Sequence, residues 1–420
     1  MTQTIPKSPI SGTIAAIPSK SAAHRVYICA ALAEAPTEVS CQGTSKDIEA
    51  TKACLTAIQN GDSLLPCGES GSTLRFLLPV VAALGLEVDF LMEGRLPDRP
   101  LAPLDAQLEA HGVTLSRPVR HDLLHVSGKL QPGDYVLPGD VSSQYISGLL
   151  FALPLLEGTS TLTVTGKVES APYIAMTLDA LSQFGVRPKL ENNVYTISPT
   201  PYVSPGTASV EGDWSNAAFW LCAGAVSGPV TVTGLDPDSL QGDKEVFEIL
   251  RRFGAKTEQN GTSFTVSPGT LHAIDIDAAA VPDLVPVLSV VAAAAEGTTR
   301  IYNAGRLRIK ESDRIKTVRA MLQNLGADVE ETADGLIIHG GKALTVGAVD
   351  SANDHRIAMS AAIAATLCDV TVEGTEAVAK SYPKFWEDFS ILSAPSSPST
   401  GGWRNAPGGC NVDHIVSFFR

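Results

Sequence analysis

Small and apolar residues dominate six stretches of the chain, 22–34, 73–84, 145–156, 216–226, 284–295 and 357–367. Apolar positions fall all around the circumference of each, so each predicts a helix buried on every side. A β-branched run of strand character follows each after a short break, at 37–42, 87–92, 160–165, 229–233, 298–303 and 370–373. A second, amphipathic kind of helix falls between them, at 173–184, 244–253 and 314–325, with weaker copies at 47–58, 103–110 and 384–392. In the third, Ile315, Val318, Leu322 and Leu325 form one stripe. Gly185, Gly254 and Gly326 stand where a left-handed C-cap would end the three clear copies. The chain therefore reads as six repeated units, each helix–strand–helix–strands. Their spacing is too long for the common solenoids. No Gly-x-Gly-x-x-Gly follows a strand, which argues against a dinucleotide-binding sheet.

Each apolar helix opens on polar residues. These are Ser19-Lys20-Ser21, Gly68-Glu69-Ser70-Gly71-Ser72-Thr73, Ser142-Ser143-Gln144, Gly212-Asp213-Trp214-Ser215-Asn216, Pro282-Asp283 and Asn353-Asp354-His355-Arg356. Ser, Asp and Asn are ordinary N-caps. Capping uses one residue, however, and leaves Lys20, Arg75 and Arg356 near helix N-termini, where the macrodipole disfavours cations. A phosphate or carboxylate between cation and helix end would resolve that conflict. Arg25, Arg99, the run Lys310-Glu311-Ser312-Asp313-Arg314 and Lys380 add further charge beside these motifs. Taken singly, each motif keeps a plainer reading. The 68–73 segment reads as a Gly/Ser turn, 310–314 as a solvated charge run, and His355 as a structural hydrogen-bonding group. Repetition at corresponding places favours anion binding.

Composition narrows the anion. Lys and Arg number 31 and Asp and Glu 45, so the formal charge is −14. That field disfavours nucleic acid and anionic membrane, and a local cationic cluster within it implies a small polyanion. No segment reaches the length of an apolar membrane span. Residues 1–9 lack the basic-then-apolar order of a signal peptide. The seven cysteines include no Cys-x-x-Cys pair and no His at metal-ligand spacing, so reduced thiols in a cytoplasmic protein are expected.

Together and in this order, Pro18–Ser21 with Arg25, Ser70–Arg75, Asp98-Arg99-Pro100, Val141–Gln144, Ser170–Tyr173, Pro282-Asp283, Lys310–Arg314, Asn353–Arg356 and Lys380–Pro383 carry a resemblance. Over 8–392 the chain resembles the 3-phosphoshikimate 1-carboxyvinyltransferase (EPSP synthase) family of enolpyruvyl transferases. The resemblance implies an α/β fold of two similar domains. Each would hold three βαβαββ units with buried parallel helices, an inverse α/β prism with a pseudo-sixfold repeat. One domain is expected at 19–211, and a discontinuous second at 1–18 plus 212–392. The tail, 393–420, is rich in Ser, Pro and Gly over 393–409 and is expected to be disordered, and its apolar residues 415–419 form a segment that could dock.

The implied reaction transfers the enolpyruvyl group of phosphoenolpyruvate to the 5-hydroxyl of shikimate 3-phosphate. It passes through a tetrahedral intermediate and releases phosphate. No metal or organic cofactor is implied. The partners are the two small substrates of a cytoplasmic monomer, without nucleic acid or membrane. Carried over by position, Lys20, Ser21, Arg25, Ser142, Ser143, Gln144, Ser170, Asp283 and Lys310 would hold shikimate 3-phosphate. Lys20, Gly71, Arg99, Gln144, Arg314, Arg356 and Lys380 would hold phosphoenolpyruvate. Asp283 would be the base at the 5-hydroxyl, and Glu311 with Lys20 would move protons at the vinyl group. Gly71 matches the family glycine that leaves room for glyphosate, while Glu69 and Ser70 stand where members often carry Asn and Ala. The sister transferase acting on UDP-N-acetylglucosamine usually has a loop cysteine before its phosphoenolpyruvate arginine, and 93–98 has none. A non-catalytic phosphometabolite binder of the same fold is the other alternative. Asp283 and Glu311 argue against it, because binding alone needs no paired carboxylates.

Overall fold

The computed structural model describes residues 1–117, 120–393 and 412–415. The described chain divides into two compact units, one of 1–19 with 211–393 and one of 20–210 with 412–415. Strands β1 (Thr2–Ile5) and β2 (Gly12–Ala15) open the chain in the first of these. The 20–210 unit then begins with α1 (Lys20–Leu32), β3 (Thr37–Ser40), α2 (Lys46–Asn60), β4 (Leu64–Gly68), α3 (Gly71–Leu84) and β5 (Val88–Met92). It continues through α4 (Leu104–Ala110), β6 (Val113–Ser116), β7 (Leu123–Gly128), β8 (Asp134–Pro138), α5 (Ser143–Ala152) and β9 (Ser160–Thr165). It closes with α6 (Ala171–Gln183), β10 (Lys189–Glu191), β11 (Val194–Ile197) and β12 (Thr207–Ser209).

Back in the other unit come α7 (Trp214–Val226), β13 (Val230–Thr233), α8 (Val246–Phe253), β14 (Lys256–Asn260), β15 (Ser263–Ser267) and β16 (Asp275–Asp277). Next are α9 (Val285–Ala294), β17 (Thr298–Tyr302), α10 (Arg314–Asn324), β18 (Asp328–Glu331) and β19 (Leu336–His339). The last are β20 (Gly347–Asp350), α11 (His355–Ala364), β21 (Val370–Glu373) and α12 (Phe385–Ser393), while β22 (Val412–Ile415) returns to the 20–210 unit.

Among the described residues, six sheets repeat one plan, a parallel pair followed by an antiparallel neighbour. Four carry a fourth strand, in the orders β4-β5-β7-β6, β8-β9-β11-β10, β16-β17-β19-β18 and β2-β13-β15-β14. Two have three strands, β20-β21-β1 and β12-β3-β22. The strand before α1 and the strand before α7 are exchanged. β2 precedes α1 yet pairs with β13, and β12 precedes α7 yet pairs with β3. That exchange is why one unit is discontinuous in sequence.

Each unit has its own apolar core, built around three helices that are buried along nearly their whole length. In the 20–210 unit these are α1, α3 and α5, and in the other α7, α9 and α11. Their alanines, glycines and valines allow close helix packing, while Leu, Phe and Trp fill the volume between. The fold is thus the α/β prism of buried helices and outer sheets that the family resemblance implies. The amphipathic helices sit differently. α8 buries Val246, Ile249, Leu250 and Phe253 and leaves Arg251 and Arg252 exposed.

The tail needs a correction over five residues. It was expected to be disordered from 393 onward, but Ser393 closes α12 and Val412–Ile415 form a strand antiparallel to β3. Its place matches that of β1 beside β21, and it covers an edge that would otherwise present bare backbone groups. Ile415 packs on the core, and Asp413 accepts hydrogen bonds from Tyr27 and from Lys52 Nζ, the latter at 3.1 Å. The remainder of that expected tail, 394–411 and 416–420, lies outside the described residues. Six cysteines are buried free thiols, and Cys410 lies outside the described residues.

Candidate active site

Polar side chains gather at the N-termini of the buried helices in each unit. In the 20–210 unit, Lys20 and Ser21 are the first two residues of α1 and do not precede it. Lys20 Nζ donates to Asp47 Oδ2 at 2.8 Å, with both side chains largely covered. One turn on, Arg25 is 3% exposed. Its guanidinium donates to Ser21 O at 2.6 Å, Tyr173 O at 2.8 Å and Thr177 Oγ1 at 2.9 Å, and lies over the Phe76 ring. Burial pulls its pKa down to about 10. Beside it, burial and the charges of Lys20 and Arg25 hold His24 well below the usual imidazole range, so the ring is neutral. His24 Nδ1 meets Thr51 Oγ1, which begins a hydroxyl chain through Thr73 to Ser70, the α3 N-cap.

At the head of α3, Arg75 donates to Gln144 Oε1 at 2.9 Å and Gln144 Nε2 to Ser72 Oγ at 2.9 Å. A methyl group placed on Gly71 would stand 2.7 Å from the Nη1 atoms of both Arg75 and Arg99. Two guanidinium groups therefore crowd one helix N-terminus, an arrangement that an anion would stabilise. Ser142 caps α5, and Ser143 is its first residue. Ser170 precedes α6 at φ 55°, a left-handed conformation rare for serine, and its hydroxyl makes no capping bond. Local strain of this kind persists where surrounding structure imposes it and often marks function.

In the other unit, five of the named residues form one ionic lattice. Asp283 sits in the 3-10 turn that leads into α9. Arg314, the first residue of α10 and 1% exposed, donates to Asp283 Oδ1 at 2.7 Å, Glu311 Oε2 at 2.7 Å and Asp354 Oδ2 at 2.8 Å. Arg356 Nη2 donates to Asp283 Oδ2 at 3.1 Å and to Ser215 Oγ at 2.7 Å. Lys310 Nζ stands 3.8 Å from Asp283 Oδ1. Burial alone would raise the Asp283 pKa, but Arg356, Lys310 and Arg314 overcome it and hold the carboxyl well below its usual range. Burial lowers Lys310 to about 8, against the pull of Asp283 and with the help of Arg314. Lys380 Nζ donates to Asn353 O at 2.7 Å, where Ala352 and Asn353 both adopt left-handed backbone.

Asp47 and Ser215 carry no role in the sequence reading, and neither does Asp243, which accepts a hydrogen bond from Ser215 Oγ. Asp354 stood within a motif but was read as a cap. It is one, accepting from Arg356 N at 3.0 Å, and it also binds Arg314. Arg75 was noted for its charge alone, and its bond to Gln144 now gives it a place. Among the described residues, no group of three His, Cys, Asp or Glu side chains could hold a metal ion. Nor is any described helix long and apolar enough to cross a membrane.

The family model for EPSP synthase (3-phosphoshikimate 1-carboxyvinyltransferase) matches residues 5–65 and 56–389. A 3-phosphoshikimate 1-carboxyvinyltransferase of Clostridium acetobutylicum is 42% identical over 413 residues, covering 91% of this chain and 95% of that protein. One from Clostridium perfringens is also 42% identical, over 92% of this chain and 97% of that protein. The solved EPSP synthase of Acinetobacter baumannii aligns with a TM-score of 0.76 at 26% identity, covering 93% of this chain and 98% of that one. These likenesses span both units, and the chain belongs to the EPSP synthase family.

Proposed function

We propose that this chain transfers the enolpyruvyl group of phosphoenolpyruvate to the 5-hydroxyl of shikimate 3-phosphate, as a cytoplasmic monomer. The observation that carries the chemistry is Asp283, a carboxylate kept ionised by Arg314, Arg356 and Lys310 at the start of a buried helix. An ionised carboxylate is in the right state to take the hydroxyl proton. In the resting protein its partners make it a weak base. Substrate anions drawing on Lys310 and Arg356 would remove part of that stabilisation and raise its basicity.

The 5-oxygen then bonds to C2 of phosphoenolpyruvate as its proton passes to Asp283, while C3 receives a proton from Glu311 or Lys20. In the second step a C3 proton returns to the group that supplied it, and the C2–O bond to phosphate breaks with its electron pair leaving on phosphate, which restores the vinyl group. Arg25, Ser21, Ser142, Ser143, Gln144, Ser170 and Lys310 serve shikimate 3-phosphate in this reading. Lys20, Gly71, Arg99, Gln144, Arg356 and Lys380 serve phosphoenolpyruvate. Arg314 joins them through its second Nη1 proton, since the other four of its five N–H donors already meet carboxylates. Arginine forks suit both phosphate and carboxylate.

The test is phosphate release from phosphoenolpyruvate with either acceptor. Release with shikimate 3-phosphate and none with UDP-N-acetylglucosamine is expected. The reverse preference would assign the sister activity. Tight binding of both substrates without release would leave a non-catalytic binder.

A further inference from the structure

Asp243 lies in a short 3-10 turn, Gly242–Glu245, that leads into α8. It is 3% exposed, and nothing in the sequence reading gives it a role. Its Oδ2 accepts the hydroxyl proton of Ser215 at 2.5 Å. A serine hydroxyl has one proton, so Ser215 Oγ can only accept from Arg356 Nη2, 2.7 Å away. The direction of the chain is therefore fixed, from Arg356 to Ser215 to Asp243. The same Nη2 also donates to Asp283 Oδ2, and Arg356 Nη1 donates to Asp283 O at 3.2 Å. Arg356 is thereby held from two sides, by the reacting carboxylate and by a serine that a second carboxyl orients. The other oxygen of Asp243, Oδ1, is buried and has no hydrogen-bond partner among the described residues. A buried oxygen left bare is costly for a carboxylate and cheaper for a carboxyl that carries a proton.

We propose that Asp243 is a positioning residue, which acts through Ser215 to set Arg356 for phosphoenolpyruvate and takes up a proton as that anion binds. The proposal rests on the reading of Arg356 as a phosphoenolpyruvate ligand. The groups acting on Asp243 are Asp283 and Asp213, which disfavour its charge, and Arg356, which favours it. Burial and the Asp283 charge put its pKa at about 7, so it changes state in the working range. An anion that draws on Arg356 weakens the one charge that keeps Asp243 ionised. Anion binding and protonation of Asp243 then favour each other, and phosphoenolpyruvate should bind less well as pH rises through 7.

Three variants separate position from titration. Asp243→Asn keeps an acceptor for Ser215 but cannot ionise. Its KM for phosphoenolpyruvate should stay within about twofold of the parent at pH 6, and should lack the rise that the parent shows between pH 6 and 8. Ser215→Ala breaks the chain to Arg356. It should raise that KM about tenfold, leave kcat within about twofold and leave the KM for shikimate 3-phosphate unchanged. Asp243→Ala should match Ser215→Ala, and a failure of Asp243→Ala to fold leaves the other two to decide. Titration of phosphoenolpyruvate into the parent in buffers of different ionisation enthalpy should show proton uptake near pH 7, reduced in Asp243→Asn. Phosphoenolpyruvate and Lys310 also titrate here, so the readout is the difference between parent and Asn variant. Superimposed KM–pH curves with an unchanged KM in Ser215→Ala would overturn the proposal. Arg356→Ala keeps this failure apart from failure of the functional reading. If it raises the KM while Ser215→Ala does not, only the Asp243 role falls. If it leaves the KM unchanged, the assignment of Arg356 falls, and this proposal with it.

Discussion

Arg25 and Arg314 are both almost fully buried, one in each unit, and each stands in the first turns of a helix. Their surroundings are opposite. Arg25 donates to two carbonyls and a hydroxyl, and burial pulls its pKa down. Arg314 donates to three carboxylates, whose charges outweigh the same burial cost and push its pKa up. The first cation still favours an anion. The second is already neutralised, and its work is to hold Asp283, Glu311 and Asp354 close together. An arginine at a substrate site can thus be a ligand or an organiser of other ligands, and its hydrogen-bond partners distinguish the two.

The largest expected effect comes from breaking the lattice. Asp354→Ala would leave Arg314 buried with its strongest partner gone. Loss of one member of a buried pair costs ~3–5 kcal/mol, readable by urea unfolding. A loss below about 1 kcal/mol would show that Arg314 does not depend on these carboxylates. Gly71→Ala would next sharpen the view of the other unit. The added methyl must push aside Arg75 and Arg99, so KM for phosphoenolpyruvate should rise about tenfold and competition by glyphosate should weaken. Unchanged values for both would mean that these guanidinium groups yield without consequence.

Lys310 gives an effect of pH. Its folded pKa, about 8, lies below the ordinary lysine value, so folding disfavours its charged form. Between about pH 8 and 10 the unfolded chain binds the extra proton, and stability should rise with pH from this group. Lys310→Met should remove that rise and weaken shikimate 3-phosphate, as urea unfolding and calorimetry at pH 7 and 9 would report. A smaller effect is expected from removing 394–420. The edge of β3 would be bared and Asp413 lost from Tyr27 and Lys52, so the melting temperature should fall by a few degrees while turnover persists. An unchanged melting temperature would deny the strand any part in stability.

The buried helices were legible because their apolar positions surround the whole axis. Boundaries moved where local chemistry intervened. The helix expected over 22–34 begins at Lys20, since its opening polar residues are helical. The one expected over 145–156 stops at Ala152 and passes into a 3-10 turn carrying Pro154. The order of helices and strands was legible as a repeat, whereas the exchange of β2 and β12 leaves no periodic signal, and the discontinuous domain it creates was expected from the family resemblance alone.

At the candidate site, charge near helix N-termini pointed to stretches whose side chains the fold gathers at the ends of the buried helices. The partners did not show. Asp47 lies 27 positions from Lys20, Asp354 lies 40 from Arg314, and Asp243 lies 28 from Ser215. Only packing brings such residues together, and one sequence gives no sign of the register. For the same reason Arg314 reads in sequence as one more anion clamp, and only its three carboxylate bonds set it apart from Arg25.

That distinction is tested most directly by removing each charge with a side chain of similar length. Arg25→Met and Arg314→Met would be compared for urea stability and for calorimetric affinity for shikimate 3-phosphate. Arg25→Met is expected to keep its stability within about 2 kcal/mol and to lose affinity by a hundredfold or more. Arg314→Met is expected to lose about 3–5 kcal/mol of stability, because three carboxylates are left facing one another. Equal losses of stability in the two variants, with affinity for shikimate 3-phosphate intact in Arg25→Met, would contradict the division between a waiting cation and a neutralised one.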